Sequence, residues 1–515
     1  MLLASPSLIS RIDSFATESL GIPAVTLMSR AGEAVARAAR ELVNKNGRIH
    51  IFAGKGNNGG DGYGAACLLM NDYDVTVYDV FSSGQRSPEG KHFLDLFTSS
   101  GGKVIPLLPD GVLKECTYEC DLIIDAVFGT GFIGELPEIA TKLIGLFNSL
   151  TDTPKLAIDV PLGISAYDGS LIGDVQYHAD VTVVLGFIKH GLVSYPAREY
   201  VGNIKYDNIG LHNTAIISKF SLSDYYTDYE LASSLVPVRC ENSSKGSFGK
   251  LLLITGSSMY PGAAHLSLEA ALRAGAGYVT YLGEKPLCDS LILKLPEAIY
   301  KPLSITDISP CELERILTIS DNHTAILVGS GSSRSAGLYS LVYRLLTTEG
   351  APVILDADAI NVLSYRPDEG RALIRQSKRR VILTPHPLEL SRISGIPTEL
   401  IQANRLNVAR SFAGENNCIL VLKGAGTIVT DGKTTFINST GSSALAKAGS
   451  GDVLAGFLAS LIASGASPLE ASALAVYLHG LAADRLSEEY SKLGVIPSDL
   501  PREIARQVAR LVKNQ

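Results

Sequence analysis

Two glycine-rich segments place polar side chains where chemistry could be done. Gly449-Ser450-Gly451-Asp452 opens an apolar helical stretch, Asp452–Ala463. A helix start offers unpaired N–H groups and a positive dipole end, which suit the charge on a transferring phosphoryl group. A carboxylate in that first turn can act as a base toward a substrate hydroxyl. It can also do no more than satisfy the helix dipole, but the Gly-Ser-Gly run and the small-residue helix exceed what a cap requires. The other segment, Asn57-Asn58-Gly59-Gly60-Asp61-Gly62, falls between a strand pattern and a helix pattern. Glycines there let backbone approach a ligand, and the helix start can hold an anion, although an ordinary strand–helix turn has a similar look. Asp125–Gly131, Asp159–Gly163 and Gly186–Gly191 are three further loops after apolar runs in the same half. An Asp at a strand end is a loop cap or an acid/base, and several on one edge favour chemistry.

The elements that must position these loops are legible from hydrophobic runs. In the first half, strands are expected at Arg48–Ala53, Val75–Phe81, Asp121–Ala126, Lys155–Val160 and Asp180–Leu185, with helices at Leu27–Val43 and Asp61–Met70. Strand–helix alternation with fully apolar strands predicts a doubly wound parallel sheet, whose ligands bind outside the carboxyl ends of the strands. After Gly210 the composition changes, and Leu211–Ser244 is polar and tyrosine-rich, as a linker would be. The alternation then restarts, with strands expected at Lys250–Thr255, Ala325–Gly329, Pro352–Leu355, Arg380–Leu383 and Cys418–Leu422. Helices are expected at Gly262–Arg273, Thr398–Arg410, Asp452–Ala463 and Ala471–Leu486. The fold class is therefore α/β, two doubly wound domains in series.

Composition narrows the function. The chain is 46% hydrophobic and 19% charged over 515 residues, enough to bury sizeable cores. A formal net charge of −7 argues against broad binding to nucleic acid. No apolar run approaches the ~20 residues of a membrane span, and Met1–Ile9 has no basic region or long apolar core. A cytoplasmic enzyme is expected. The seven cysteines are scattered, and Cys116 and Cys120 have no second ligand pair after them, so reduced thiols are expected rather than disulfides or zinc.

Asn57–Gly62, then Asp125-Ala126-Val127-Phe128-Gly129-Thr130-Gly131, then Asp159-Val160-Pro161-Leu162-Gly163, with Leu27-Met28-Ser29-Arg30-Ala31-Gly32 ahead of them, resemble the YjeF N-terminal family, which epimerises hydrated nicotinamide cofactors. The likeness runs over nearly all of residues 8–210 and implies a Rossmann-like domain, set at 1–215. It implies that Asn57, Asn58, Gly59, Gly60, Asp61 and Gly129, Thr130, Gly131, Phe132, Ile133, Gly134, Glu135 contact the hydrate. Asp159 would transfer the proton, and Asn58 and Asp125 would hold a potassium ion. Leu162 stands where the family usually has a serine whose oxygen helps bind that ion, and leucine supplies no such oxygen.

The second half resembles the ribokinase-like superfamily, and within it the carbohydrate-kinase-like dehydratases. The residues that carry this are Lys245–Gly249, Gly256-Ser257, Tyr260–Ala263, Asp356–Ala359, Thr384-Pro385-His386-Pro387-Leu388-Glu389, Lys423–Thr427 and Ala446–Gly456. The likeness covers about 235–505 and implies a domain over 224–515 that dehydrates the S hydrate with ADP and Mg2+, releasing AMP and phosphate. It implies that Ala263, Gly331, His386 and Asp452 contact the hydrate, with Asp452 as catalytic base. Lys423, Gly424, Ala425, Gly426, Thr427 and Gly451 would contact the nucleotide. Gly329-Ser330-Gly331-Ser332-Ser333 departs from the family's usual Gly-Pro-Gly-Leu-Gly.

The expected substrates are thus NADHX and NADPHX with ADP and AMP, with no nucleic acid or membrane partner, and identical chains are expected to assemble. Two other readings stay open. A ribokinase-like kinase would release a stable phosphoester, and the N-terminal half could be a binding module without catalysis.

Overall fold

The structure, a computed structural model, describes residues 1–81, 85–107 and 119–513. Cys116 lies outside them. Among the described residues the cysteines are free thiols, and no helix is long and apolar enough to cross a membrane. The chain forms two compact units, Met1–Asp224 and Tyr225–Gln515.

The first unit is built on a seven-stranded sheet. Its order is Lys103–Pro106, Asp74–Asp79, Arg48–Ala53, Leu122–Ala126, Lys155–Ile158, Val181–Leu185 and Asn203–Asp207. Every pairing is parallel. Parallel strands covered on both faces must be apolar throughout, and Leu122–Ala126 and Val181–Leu185 are buried along their whole length. The order reverses at Arg48–Ala53, which lies between Asp74–Asp79 and Leu122–Ala126. That switch point opens a crevice at the strands' carboxyl ends.

The expected turn at Asn57–Gly62 is a correction. Those residues are the opening turns of helix Asn57–Leu69, so the glycines sit inside a helix. Their role is close packing: a Cβ on Gly59 would lie 1.9 Å from the Gly54 carbonyl oxygen, and one on Gly62 would lie 2.8 Å from the Ala126 Cβ. The helix can therefore press directly onto the sheet.

The second unit has a ten-stranded sheet. It is parallel from Ile299–Pro302 through Tyr278–Gly283, Lys250–Ile254, Ala325–Val328, Val353–Leu355 and Val381–Leu383 to Ile419–Leu422. Ile428–Thr430 and Thr435–Asn438 then add antiparallel to it. Helix Ser450–Ala463 is buried on nearly every side, as its apolar run requires.

Two expectations are revised here. Leu211–Ser244 is not a bare linker, because it holds helices Thr214–Phe220 and Tyr229–Ser234 and strand Asp224–Thr227. Residue 215 falls inside the first of these helices. The single helix expected over Thr398–Arg410 is two, Thr398–Ala403 and Arg405–Glu415, broken at Asn404 with φ −140° and ψ 48°.

Candidate active sites

In the first unit a cavity of about 550 Å³ opens at the switch point. Asn57, Asn58 and Asp61 reach it from the first turns of helix Asn57–Leu69, and Gly129, Thr130, Gly131 and Phe132 from the loop after Leu122–Ala126. Asp159 enters from the end of Lys155–Ile158. Its φ of +65° is the left-handed region, uncommon for a residue with a Cβ. Not every residue expected at the site lines the cavity. Gly59 and Gly60 are buried in packing, whereas Ile133, Gly134 and Glu135 lie exposed beyond the lining.

Two features were not assigned from the sequence. Lys189, from the loop Gly186–Gly191, is almost fully buried and donates its Nζ to Asp159 Oδ1 and, at 3.0 Å, to the Leu185 carbonyl. The strand Leu3–Ala4 pairs with Ile188–Lys189, which fixes that loop. Asp61 sits among Asp159, Lys189 and Asp13. Burial, and then the Asp159 charge, push its carboxyl well above the usual range. A carboxyl biased toward its protonated form thus stands beside an ion-paired carboxylate, the kind of division that lets one site donate and accept protons.

Asp125, near the end of strand Leu122–Ala126, is buried and accepts from Val127 N–H at 3.1 Å, Leu162 N–H at 2.7 Å and the Tyr177 hydroxyl at 2.6 Å. Asn58 donates its Nδ2 to the Phe128 carbonyl at 2.8 Å, and its Oδ1 is buried with no hydrogen-bond partner. An orphaned buried amide oxygen is a donor that suits a hard, weakly held cation. The Leu162 side chain takes no part. It is packed in the core cluster with Phe147 and Tyr177, and only its N–H faces the site.

In the second unit, the parallel strands deliver their ends to one edge. Lys423, after Ile419–Leu422, lies 3.0 Å from Asp356 Oδ1 and 4.0 Å from Glu389 Oε2. Burial alone would lower the ammonium, but the two carboxylates outweigh it and hold it above the ordinary lysine value. Asp356 is itself fixed by Ser330 Oγ at 2.8 Å and Thr384 Oγ1 at 2.7 Å. A Cβ on Gly451 would come within 3.4 Å of Lys423 Nζ, so the cation stands at the start of helix Ser450–Ala463. Asp452 is in that helix's first turn. Burial, then the charge of Asp356, raise its carboxyl to about 7.

The remaining expected residues divide. Gly331 and Ala263 are neighbours, since a Cβ on Gly331 would meet the Ala263 Cβ at 2.5 Å. Gly424, Ala425, Gly426 and Thr427 form a loop closed by the Thr427 hydroxyl on the Gly424 carbonyl at 2.8 Å, backed by the Arg405 guanidinium. His386 has a structural task. Its Nδ1 accepts from the Glu389 N–H at 3.2 Å and caps helix Pro387–Ser394, while its ring stays half exposed. Ser333 occupies φ +61° and donates its N–H to Asp358 at 2.9 Å. The loop thus keeps a conformation that glycine adopts more easily. Asp356 was part of a motif in the sequence without a role, and only the fold shows it gripping Lys423.

Comparison with known proteins covers both units. Residues 24–191 match the family described as YjeF-related protein N-terminus, and residues 251–506 match the family described as NAD(P)H-hydrate dehydratase. The bifunctional NAD(P)H-hydrate repair enzyme of Moorella thermoacetica is 33% identical over 97% of this chain and 95% of its own length. The enzyme of that name from Escherichia coli is 30% identical over 97% of this chain and 92% of its own. Among solved structures, the ADP/ATP-dependent NAD(P)H-hydrate dehydratase of Bacillus subtilis, co-crystallised with ATP and Mg2+, is 30% identical. The alignment covers 56% of this chain and 98% of that one, with a TM-score of 0.49.

Proposed function

This chain belongs to the bifunctional NAD(P)H-hydrate repair enzymes, and from that premise we propose how its residues divide the work: the cavity of the first unit exchanges the R and S hydrates, and the Asp452 edge of the second dehydrates the S hydrate at the expense of ADP. The observation that carries this division is that each unit holds its own acid-bearing site at the carboxyl ends of its own parallel sheet.

The substrate has a hydroxyl on C6 of the nicotinamide ring, next to N1. Exchange of epimers requires the C6–O bond to break and form again on the other face, and proton transfer to and from oxygen lowers that barrier. Asp159, oriented by Lys189, is the group placed to accept and return the proton. Asn57, Gly129, Thr130 and Phe132 would hold the hydrate. Asn58 Oδ1 and Asp125 would hold potassium, which would supply a fixed positive charge to the site.

In the second unit, Asp452 takes the proton of the C6 hydroxyl as its oxygen attacks the terminal phosphorus of ADP. The P–O bond to AMP breaks. The C6–O bond then breaks with its electron pair on phosphate, and loss of the C5 proton restores the ring double bond. Lys423 and the N–H groups around Gly451 steady the phosphoryl charge, with Lys423 held in place by Asp356. The described residues contain no cluster of three or more metal-ligating His, Cys, Asp or Glu side chains. Mg2+ would arrive bound to the nucleotide phosphates, as it commonly does.

The test is incubation of the full chain with mixed hydrate epimers, with and without ADP. With ADP, both epimers should be consumed, with AMP, phosphate and absorbing NAD(P)H released. Without ADP, only epimer exchange should occur. Accumulation of a stable phosphoester would instead mark a kinase, and no exchange without ADP would leave the first unit a binding module.

A further inference from the structure

The first helix, Pro6–Glu18, forms one wall of the cavity in the first unit. Ile9, Ile12 and Ala16 bury one face, and Ser10, Asp13 and Thr17, spaced along the adjoining face, line the cavity. The helix is held on two sides. Phe15 meets Phe220 edge to face at 5.7 Å, from helix Thr214–Phe220, and just before the helix the strand Leu3–Ala4 pairs with Ile188–Lys189. The segment that carries Asp13 is thus hydrogen-bonded to the segment that carries Lys189.

Asp13 lies in mid-helix, so it caps nothing. Its side chain is exposed to the cavity it lines, near enough to Lys189, Asp159 and Asp61 for their charges to act on it or on one another. We propose that Asp13 is a second proton-transfer carboxylate of this site, acting from the helical wall while Asp159 acts from the strand end. The inference rests on the epimerase reading of the first unit and deepens it.

The need for a second group follows from the reaction. Exchange must protonate the departing hydroxyl and deprotonate the arriving water, and the two events occur on opposite faces of the ring. Asp13 gives its proton to the C6 oxygen. The C6–O bond breaks, the oxygen keeps the pair and leaves as water, and the N1 lone pair forms the N1–C6 double bond. Water then adds to C6 from the other side, N1 recovers its pair, and Asp159 takes the proton. The reverse exchange uses the same two groups in opposite roles. Burial first, partly offset by Lys189 and reinforced by Asp159, raises the Asp13 carboxyl to about 6, close to the range in which it can both give and take a proton. Burial also holds the Asp61 carboxyl above its usual range, and Asp159 is paired with Lys189.

The test uses the full chain and measures both reactions. Asp13→Asn should slow epimer exchange by roughly 10²- to 10⁴-fold through kcat, with KM little changed. The inflection near pH 6 in the parent's exchange profile should vanish. ADP-driven dehydration of pure S hydrate should be unchanged, and the first unit should melt where the parent's does, which checks that it is folded. Asp13→Glu should recover part of the rate and shift the inflection. It carries the test by its rate and shifted inflection if the asparagine variant does not fold. Near-parent exchange by Asp13→Asn, a loss confined to KM, or an Asp13→Glu profile identical to the parent's would overturn the role. Absence of exchange by the parent itself would remove the epimerase reading, and this inference with it.

Discussion

Lys189 Nζ is shared between the Asp159 carboxylate and the Leu185 carbonyl, so one buried cation fixes both a side chain and the strand end from which its own loop departs. The Leu185 N–H also points back to Asp159 Oδ1 at 3.4 Å. The Asp159 carboxylate is therefore gripped by two donors in a backbone conformation that alone would be unfavourable. The pair is both scaffold and part of the site.

Removing the cation should hurt on both counts. Lys189→Met keeps the length of the side chain but leaves Asp159 buried without its partner. Breaking a buried pair from one side typically costs about 3–5 kcal/mol. We expect a lower melting temperature for the first unit and loss of epimer exchange, while ADP-driven dehydration continues. Full exchange in a variant of unchanged stability would show that Asp159 needs no such anchor.

Leu162→Ser tests the cation site. From sequence alone, leucine at this position suggests weakened potassium dependence that serine would repair. The structure argues otherwise, because the side chain is in the core and the residue serves Asp125 through its N–H. Serine would leave a cavity and a buried hydroxyl, a loss of about 3–5 kcal/mol. Expected is a lower melting temperature with potassium dependence of exchange unaltered. Tighter potassium binding without loss of stability would put the side-chain oxygen back among the ligands.

The parallel strands could be read because strands buried on both faces must be apolar throughout, and Leu122–Ala126 or Ile419–Leu422 have no competing pattern. The loops after them followed, so Asp159, Asp452 and Lys423 could be named. The helix at Asn57 was hidden because glycines depress helix propensity, and here only contact with Gly54 and Ala126 justifies them. Short strands such as Thr435–Asn438 take their identity from their neighbours in the sheet. Lys189 and Asp13 carried no local signal: a loop lysine and a helix aspartate gain meaning only when a two-residue strand pairing brings them to one cavity. His386 shows the converse, a motif residue whose visible contact is a helix cap.

Acid stability should depend on two buried histidines. Burial holds both His50, in the first unit, and His479, in the second, down near 4. Each is neutral in the folded chain while the unfolded chain binds a proton below about 6.5. Stability tied to them is thus present above that value and lost as pH falls from about 6.5 toward 4. Replacing His50 with glutamine, which does not titrate, should reduce the fall in the first unit's melting temperature on acidification. His479→Gln should do the same for the second, though it also removes the 3.2 Å contact with Ser450. Equal acid slopes for parent and variants would assign the loss to other groups.

Asp452 couples activity to stability with the opposite sign. Its folded carboxyl titrates near 7 against 3.8 in the open chain, so the folded state holds a proton that the unfolded state has released. Below 3.8 both states are protonated; above it, ionised Asp452 weighs increasingly against the fold until about 7. The same ionisation makes the base, so kcat/KM for dehydration should fall as pH drops through about 7. Asp452→Asn removes both effects at once. Dehydration should fall roughly 10²- to 10⁴-fold, with nucleotide still bound through Lys423 and the Gly451 turn. The second unit should melt higher than the parent in alkaline buffer and near the parent at low pH, and epimer exchange should be untouched. A variant that dehydrates at the parent's rate would leave Asp452 as a helix-start charge only. A variant that melts lower at every pH would mean that the carboxylate supports the fold and that its raised titration does not oppose it.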